Sequence, residues 1–119
     1  MSAKSVTNAL TTAILRFLLD EGVYAWRNNT TGIYDPSRGH FRTASKKGVS
    51  DIIAIDRGHF IGIEIKTGKD RLSDEQKGFK ENVEHAGGTI FVVHTFDDFL
   101  VSWDEYVLRN GIDKARKRL

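Results

Sequence analysis

The sequence predicts an α/β domain in which helices flank a mixed β-sheet, in the order αβββαβα. Apolar residues recur at helical spacing in three stretches, and apolar runs of strand length lie between them. One helical stretch separates FIGIEIK from TIFVV, so those strands can run parallel through a right-handed crossover, while SDIIAI and FIGIEIK are close enough for an antiparallel hairpin. Both kinds of pairing in one sheet make it mixed.

Leu10, Ala13, Ile14, Phe17 and Leu18 form the stripe of the first helix, and Gly22 ends it. VYAWRNN follows as a strand. The next segment, TTGIYDPSRGHFRTASKKG, holds Gly, Pro and Ser turn signals around two short candidate strands, GIYD and HFRT. A basic hairpin or long loop fits, and connections of this length are uncommon unless they bind something. After the SDIIAIDRGHFIGIEIKTG hairpin, Ser73 and Gln76 form a capping box that opens a second helix. Its stripe, Phe79, Val83 and Ala86, stops at Gly87-Gly88. TIFVV is a short buried strand, and Thr95 caps a third helix with the stripe Phe96, Phe99, Leu100, Trp103 and Val107. Trp26 and Trp103 are expected in the core, and the third helix is a candidate subunit interface or equally a cover for the sheet.

A chain of 119 residues makes one domain, 1–119, with a basic tail at about 110–119. With 39% hydrophobic and 29% charged residues the chain should fold. The lack of cysteine excludes disulfides, thiolate metal sites and a cysteine nucleophile, so any metal must use oxygen or imidazole ligands. His40, His59, His85 and His94 are scattered without ligand spacing and read as surface or packing residues. No apolar run reaches membrane-spanning length and no signal-peptide segment is evident, which predicts a cytoplasmic protein with no membrane partner.

The net charge of +2 says little about partners, but its distribution says more. Arg38, Arg42, Lys46 and Lys47 precede the hairpin, Lys66, Lys69 and Arg71 follow it, and Arg109, Lys114, Arg116, Lys117 and Arg118 close the chain. Three basic clusters around one hairpin suggest a phosphate-binding face.

Asp51, Glu64 and Lys66 interrupt that otherwise apolar hairpin. A two-residue turn at Arg57-Gly58 puts Asp51 directly opposite Glu64, where Cβ atoms lie about 4.5–5.5 Å apart and two carboxylates repel unless a cation or proton sits between them. Lys66, two residues beyond Glu64, points to the same face. A three-residue loop with Gly58 as a bulge would instead shift the pairing by one and send Asp51 to the other face. The first register is preferred because it gives the carboxylates a common partner. Gly62 on that face is expected to leave room for close approach. Such a trio suits phosphodiester hydrolysis, with carboxylate oxygens for Mg²⁺ or Mn²⁺ and a lysine facing the phosphate.

These residues resemble a known pattern. SD, twelve residues and then EIK look like the PD-(D/E)xK nuclease signature, with Ser50 where proline is often found. WRNNTTG, KKGVSDIIAI, GHFIGIEIKTGKDRLSDEQKGF and HAGGTIFVV together resemble the VRR-NUC family of that superfamily, over about Leu10 to Phe99. The resemblance implies a restriction-endonuclease-like core and metal-dependent cleavage of branched or duplex DNA. It makes Asp51, Glu64 and the Ile65 carbonyl the Mg²⁺ (or Mn²⁺) ligands, puts Lys66 in the catalytic position, and places Gln76 near the active site. Arg27 and Asn28 match the family's WRN segment and join Arg38, Arg42, Lys46, Lys47, Lys69 and Arg71 as nucleic-acid contacts. Relatives often carry a metal-binding acid on the first helix; here no Asp or Glu precedes Asp20, and Asn8 or a nearby threonine would stand there. Small members of the family, as found in phages, are similar to homodimeric Holliday-junction resolvases acting in the host cytoplasm. Cleavage of flaps, nicks or plain duplex, or binding without catalysis, are the alternatives.

Overall fold

The first helix, α1 (Ala3–Asp20), turns Leu10, Ile14 and Leu18 into the core and leaves Ala13 exposed. The inner stripe includes Thr11, buried because its hydroxyl is satisfied by the Thr7 carbonyl at 2.8 Å. Gly22, at φ 77°, ends the helix, and the Val23 N–H returns to the Leu18 carbonyl in a Schellman closure. The computed structural model describes residues 3–28, 33–42 and 47–111. Lys46 and the tail carrying Lys114, Arg116, Lys117 and Arg118 lie outside the described residues.

Six strands form among the described residues. β1 (Tyr24–Arg27), β4 (Ile52–Asp56), β5 (His59–Ile65) and β6 (Thr89–Val93) form one sheet in the order β1-β4-β5-β6. β1–β4 and β4–β5 are antiparallel, and β5–β6 is parallel across helix α2 (Asp74–His85), so the sheet is mixed. The turn-rich segment between β1 and β4 forms its own antiparallel pair, β2 (Ile33–Asp35) and β3 (His40–Arg42). Among the described residues the seven expected elements become nine, because the short runs around Pro36 and Gly39 pair as a hairpin, one of the two readings expected for this segment.

The β4–β5 turn decides the register. Arg57 and Gly58 have φ values of 52° and 85°, the two positive angles of a two-residue type I′ turn, and Asp56 pairs with His59. The ladder runs from that pair to Ile52 opposite Ile63, which is the register that turns Asp51 toward Glu64.

Alternation then sorts the two faces of the sheet. Ile52, Ala54, Ile61, Ile63, Phe91 and Val93 face α1 and the third helix, α3 (Phe96–Arg109), and form the main core with their buried stripes. Thr95 caps α3 through the Asp98 N–H, and Phe99, Trp103 and Val107 are buried beneath it. That stripe covers the sheet of its own chain and is not free to serve as a subunit interface. Tyr106, outside the predicted stripe, is also buried, with its hydroxyl donating to buried Asp56 at 2.6 Å.

On the opposite face α2 packs over β5 and β6, through Phe79 against Phe60 and Val83 against Gly88. It buries no residue fully. Toward β1 that face is more exposed: Tyr24 is 72%, Trp26 40% and Ile55 40% exposed, while Ile53, opposite Trp26, is buried. The expectation of a core Trp26 is thus corrected: apolar character put it in a strand, but β1 is an edge strand and among the described residues no helix lies over this part of the face. Gly62 is corrected too. A Cβ there would lie 2.6 Å from Ser50 Oγ and 2.7 Å from Ile90 Cδ1, so the space is filled by side chains and not left for a substrate.

Candidate active site

Three strands bring their ends together on the face that carries α2. The Asn28 N–H donates to the Asp51 carbonyl at 2.8 Å, and the β4–β5 register carries the row on to Glu64. Asp51 Oδ2 accepts the Ile65 N–H at 2.7 Å, so β5's backbone clamps one carboxylate oxygen. Glu64 is only 3% exposed. Its Oε1 accepts from Gln76 Nε2 at 2.8 Å and lies 3.9 Å from Lys66 Nζ.

Gln76 both closes the cap of α2 and reaches Glu64. Its Oε1 accepts the Ser73 N–H at 2.8 Å, and its backbone N–H donates to Ser73 Oγ at 3.2 Å, completing the capping box. Because only the amide oxygen can accept from Ser73, the nitrogen is left to face Glu64. The start of α2 therefore orients the Glu64 carboxyl.

Burial pushes the Glu64 carboxyl up to about 8; the Asp51 charge and hydrogen bond act in the same direction, and Lys66 opposes them. The pair thus favours holding a proton, or an equivalent positive charge, between its oxygens. Among the described residues no group of three or more His, Cys, Asp and Glu could hold a metal. Two hard carboxylates short of positive charge nonetheless fit Mg²⁺ or Mn²⁺, ions that take few protein carboxylates and complete their shell with water and phosphate oxygens. Ile65 sends its side chain to the core and its N–H to Asp51, which leaves the carbonyl as the one group it could offer a cation.

Arg27 and Asn28, predicted together, part at the end of β1. Arg27 turns to α1, where its Nη2 donates to Asn8 Oδ1 at 2.7 Å. Asn28 stays beside Asp51, its Nδ2 buried without a hydrogen-bond partner, as is Ser50 Oγ. α1 also reaches the far end of β5, where Thr7 and Thr67 share a hydroxyl contact of 2.9 Å one residue beyond Lys66. Thr7 and Asn8 on this part of α1 are thus both engaged with neighbours. Neither contact was legible in the sequence, because it depends on where α1 crosses the sheet ends.

The other predicted contacts are spread more widely. Lys69 and Arg71 are exposed and line an open depression of about 420 Å³ with Gly68, Asp70 and His94. Arg38 is exposed beyond β2, and Arg42 ends β3. Lys47 is exposed beside Gly48, whose φ of 81° and contact with the Glu75 carbonyl press this segment against the start of α2. A second open groove, about 660 Å³, runs along α1 past Asn8 and Arg16 to Phe96 and does not include the carboxylates.

His59 bonds Thr89 at 2.7 Å, and exposed His94 bonds Asp98 at 3.1 Å, so the two do not share a centre. No protein-family model matches this chain, and no curated protein matches it. No helix among the described residues is long and apolar enough to cross a membrane.

Proposed function

We propose that this chain is a metal-dependent, structure-specific DNA endonuclease with a restriction-endonuclease-like core, of the VRR-NUC type, which acts as a homodimer on four-way junctions. The observation that carries the reading is the convergence of Asp51, Glu64, Lys66 and Gln76 on one face. Asp51 and Glu64, with the Ile65 carbonyl, would hold Mg²⁺ or Mn²⁺. When bound, that ion supplies Lewis acidity toward a phosphate oxygen and lowers the pKa of a coordinated water.

The chain's own groups do the rest. The Ile65 N–H and the Gln76 amide hold one oxygen each of Asp51 and Glu64, so both carboxylates are oriented before substrate arrives. Lys66, with only 14% of its side chain exposed, is held at the site to stabilise negative charge on the phosphate. Basic residues on either side of the hairpin, Lys47 and Lys69 among them, supply attraction for the DNA backbone. Two copies related by a twofold axis would present two such sites for paired cuts in a junction. Their contact would have to use a surface other than the buried stripe of α3.

A panel of labelled junctions, flaps, nicked and plain duplexes with Mg²⁺ tests the reading. Junctions should be cut faster than linear duplex, and Asp51→Asn and Lys66→Ala should each lower the rate by at least 100-fold. Equal cutting of duplex and junction would refute the junction preference; unchanged cutting by both variants would refute the site.

A further inference from the structure

We propose that Tyr24 and Trp26 form a stacking platform for unpaired nucleobases beside the candidate cleavage site. The inference rests on the nuclease reading and adds a substrate feature to it: unpaired bases next to the phosphate that is cut.

β1 turns Tyr24, Trp26 and Asn28 to the face that carries Asp51 and Glu64. At roughly 3.4 Å per residue, Trp26 sits one side-chain step, about 7 Å, from Asn28, and Tyr24 one step further. Their ring centroids are 5.2 Å apart at a 49° tilt, so the two rings brace each other. Tyr24 is 72% and Trp26 40% exposed, and Ile55, opposite Tyr24 on β4, is 40% exposed. Tyr24, Trp26 and Ile55 thus form an exposed apolar strip, with buried Ile53 beside Trp26, on the face that carries the carboxylate row.

Charge and area together favour nucleic acid as the occupant. Residues 29–50 join the β1 and β4 ends of the strip and carry Arg38, Arg42, Lys46 and Lys47 against one acid, Asp35. Its described ends, Asn28 and Asp51, meet at the end of the platform nearest the site, so this basic connection starts and finishes where a phosphate backbone would run. Fully covered, an aromatic side chain contributes roughly 150–250 Å². Two such rings and an isoleucine fall well short of the roughly 800 Å² per partner of a stable protein interface. Two exposed rings are, however, enough for one or two bases, because every base offers a π-face.

The test reads binding without cleavage. The chain has two tryptophans, and Trp103 is buried at 3% exposure, so quenching by an added oligonucleotide reports on Trp26. With EDTA present, oligothymidylate should quench wild-type fluorescence saturably. By anisotropy of a labelled oligothymidylate, Tyr24→Leu and Trp26→Leu should each weaken binding about 5- to 100-fold, and Trp26→Phe should retain most of it. Affinity for a blunt duplex should change less than twofold. The two positions serve as checks on each other's folding, since Tyr24 is largely in solvent. Oligothymidylate affinity unchanged in both leucine variants would overturn the platform, as would sedimentation showing that these variants dissociate a dimer, because a second copy would then be the occupant. Quenching by oligothymidylate in a protein that cuts no DNA would instead reject the nuclease reading and keep the platform.

Discussion

Glu64 concentrates the physical argument into one side chain. Its carboxyl is buried and faces Asp51, so in the folded chain it ionises only near pH 8, against an ordinary value of 4.5. Between those values the unfolded chain has released a proton that the folded chain retains. Stability contributed by this group is therefore full below about pH 4.5, falls as pH rises toward about 8, and levels off above it. The loss is of the order of a few kcal/mol. Denaturant unfolding followed from pH 5 to pH 9 should show the decline without divalent ions, and Mg²⁺ should flatten it by replacing the proton. Glu64→Gln should remove the decline altogether. The residue types of this site were legible in the sequence; their partners were less so. Asp51 and Glu64 stand out because carboxylates interrupt an apolar hairpin, whereas the Ile65 N–H that clamps Asp51 belongs to a residue that reads only as core. Gln76 was legible as a cap, and its second contact, with Glu64, follows because the two ends of its amide serve separate partners.

At the level of elements, the start of α2 and the turn at Arg57-Gly58 place that chemistry. α2 buries no residue fully, so its cap carries an unusual share of its attachment. Ser73→Ala removes the cap alone and should cost about 1 kcal/mol of stability while leaving cleavage within a few-fold of wild type. Gln76→Ala also strips Glu64 of its donor, and should cost about 1–2 kcal/mol more and slow cleavage at least tenfold. Thermal melts and single-turnover rates on the same variants separate the two effects. The turn holds Arg57 at φ 52°, a conformation that Asn adopts more readily. Arg57→Asn should therefore raise stability by about 0.5–1 kcal/mol without moving the register, as an upward shift of the melting midpoint would report. This turn was the least secure part of the sequence reading, since an Arg-Gly pair carries a weaker turn signal than Asn-Gly. The stripes of α1 and α3 were more legible, because burial against one sheet face imposes their spacing. Tyr106 escaped that pattern because its polar end has a buried acceptor, Asp56, on a different element.

Across the whole molecule the two faces of one sheet divide the work. α1 and α3 bury the apolar face and supply the cohesion, while α2 packs over β5 and β6 on the other face, where the carboxylate row lies near the exposed aromatic pair of β1. That asymmetry explains why Trp26 misleads as a core residue. Hydrophobic alternation identifies a strand's two faces, but only the footprint of α2 determines which part of a face stays open. The same asymmetry puts the site at the strand ends, where the segment between β1 and β4 begins and returns beside Asp51. A crystal structure of the chain with Mn²⁺, read by anomalous scattering, tests the central claim that Asp51 and Glu64 share one divalent cation. The account predicts a peak about 2.1 Å from an oxygen of each carboxylate, with Gln76 still bonded to Glu64. Mn²⁺ absent from this pair at saturating concentration, or bound elsewhere with Asp51 and Glu64 sharing only a proton, would contradict it.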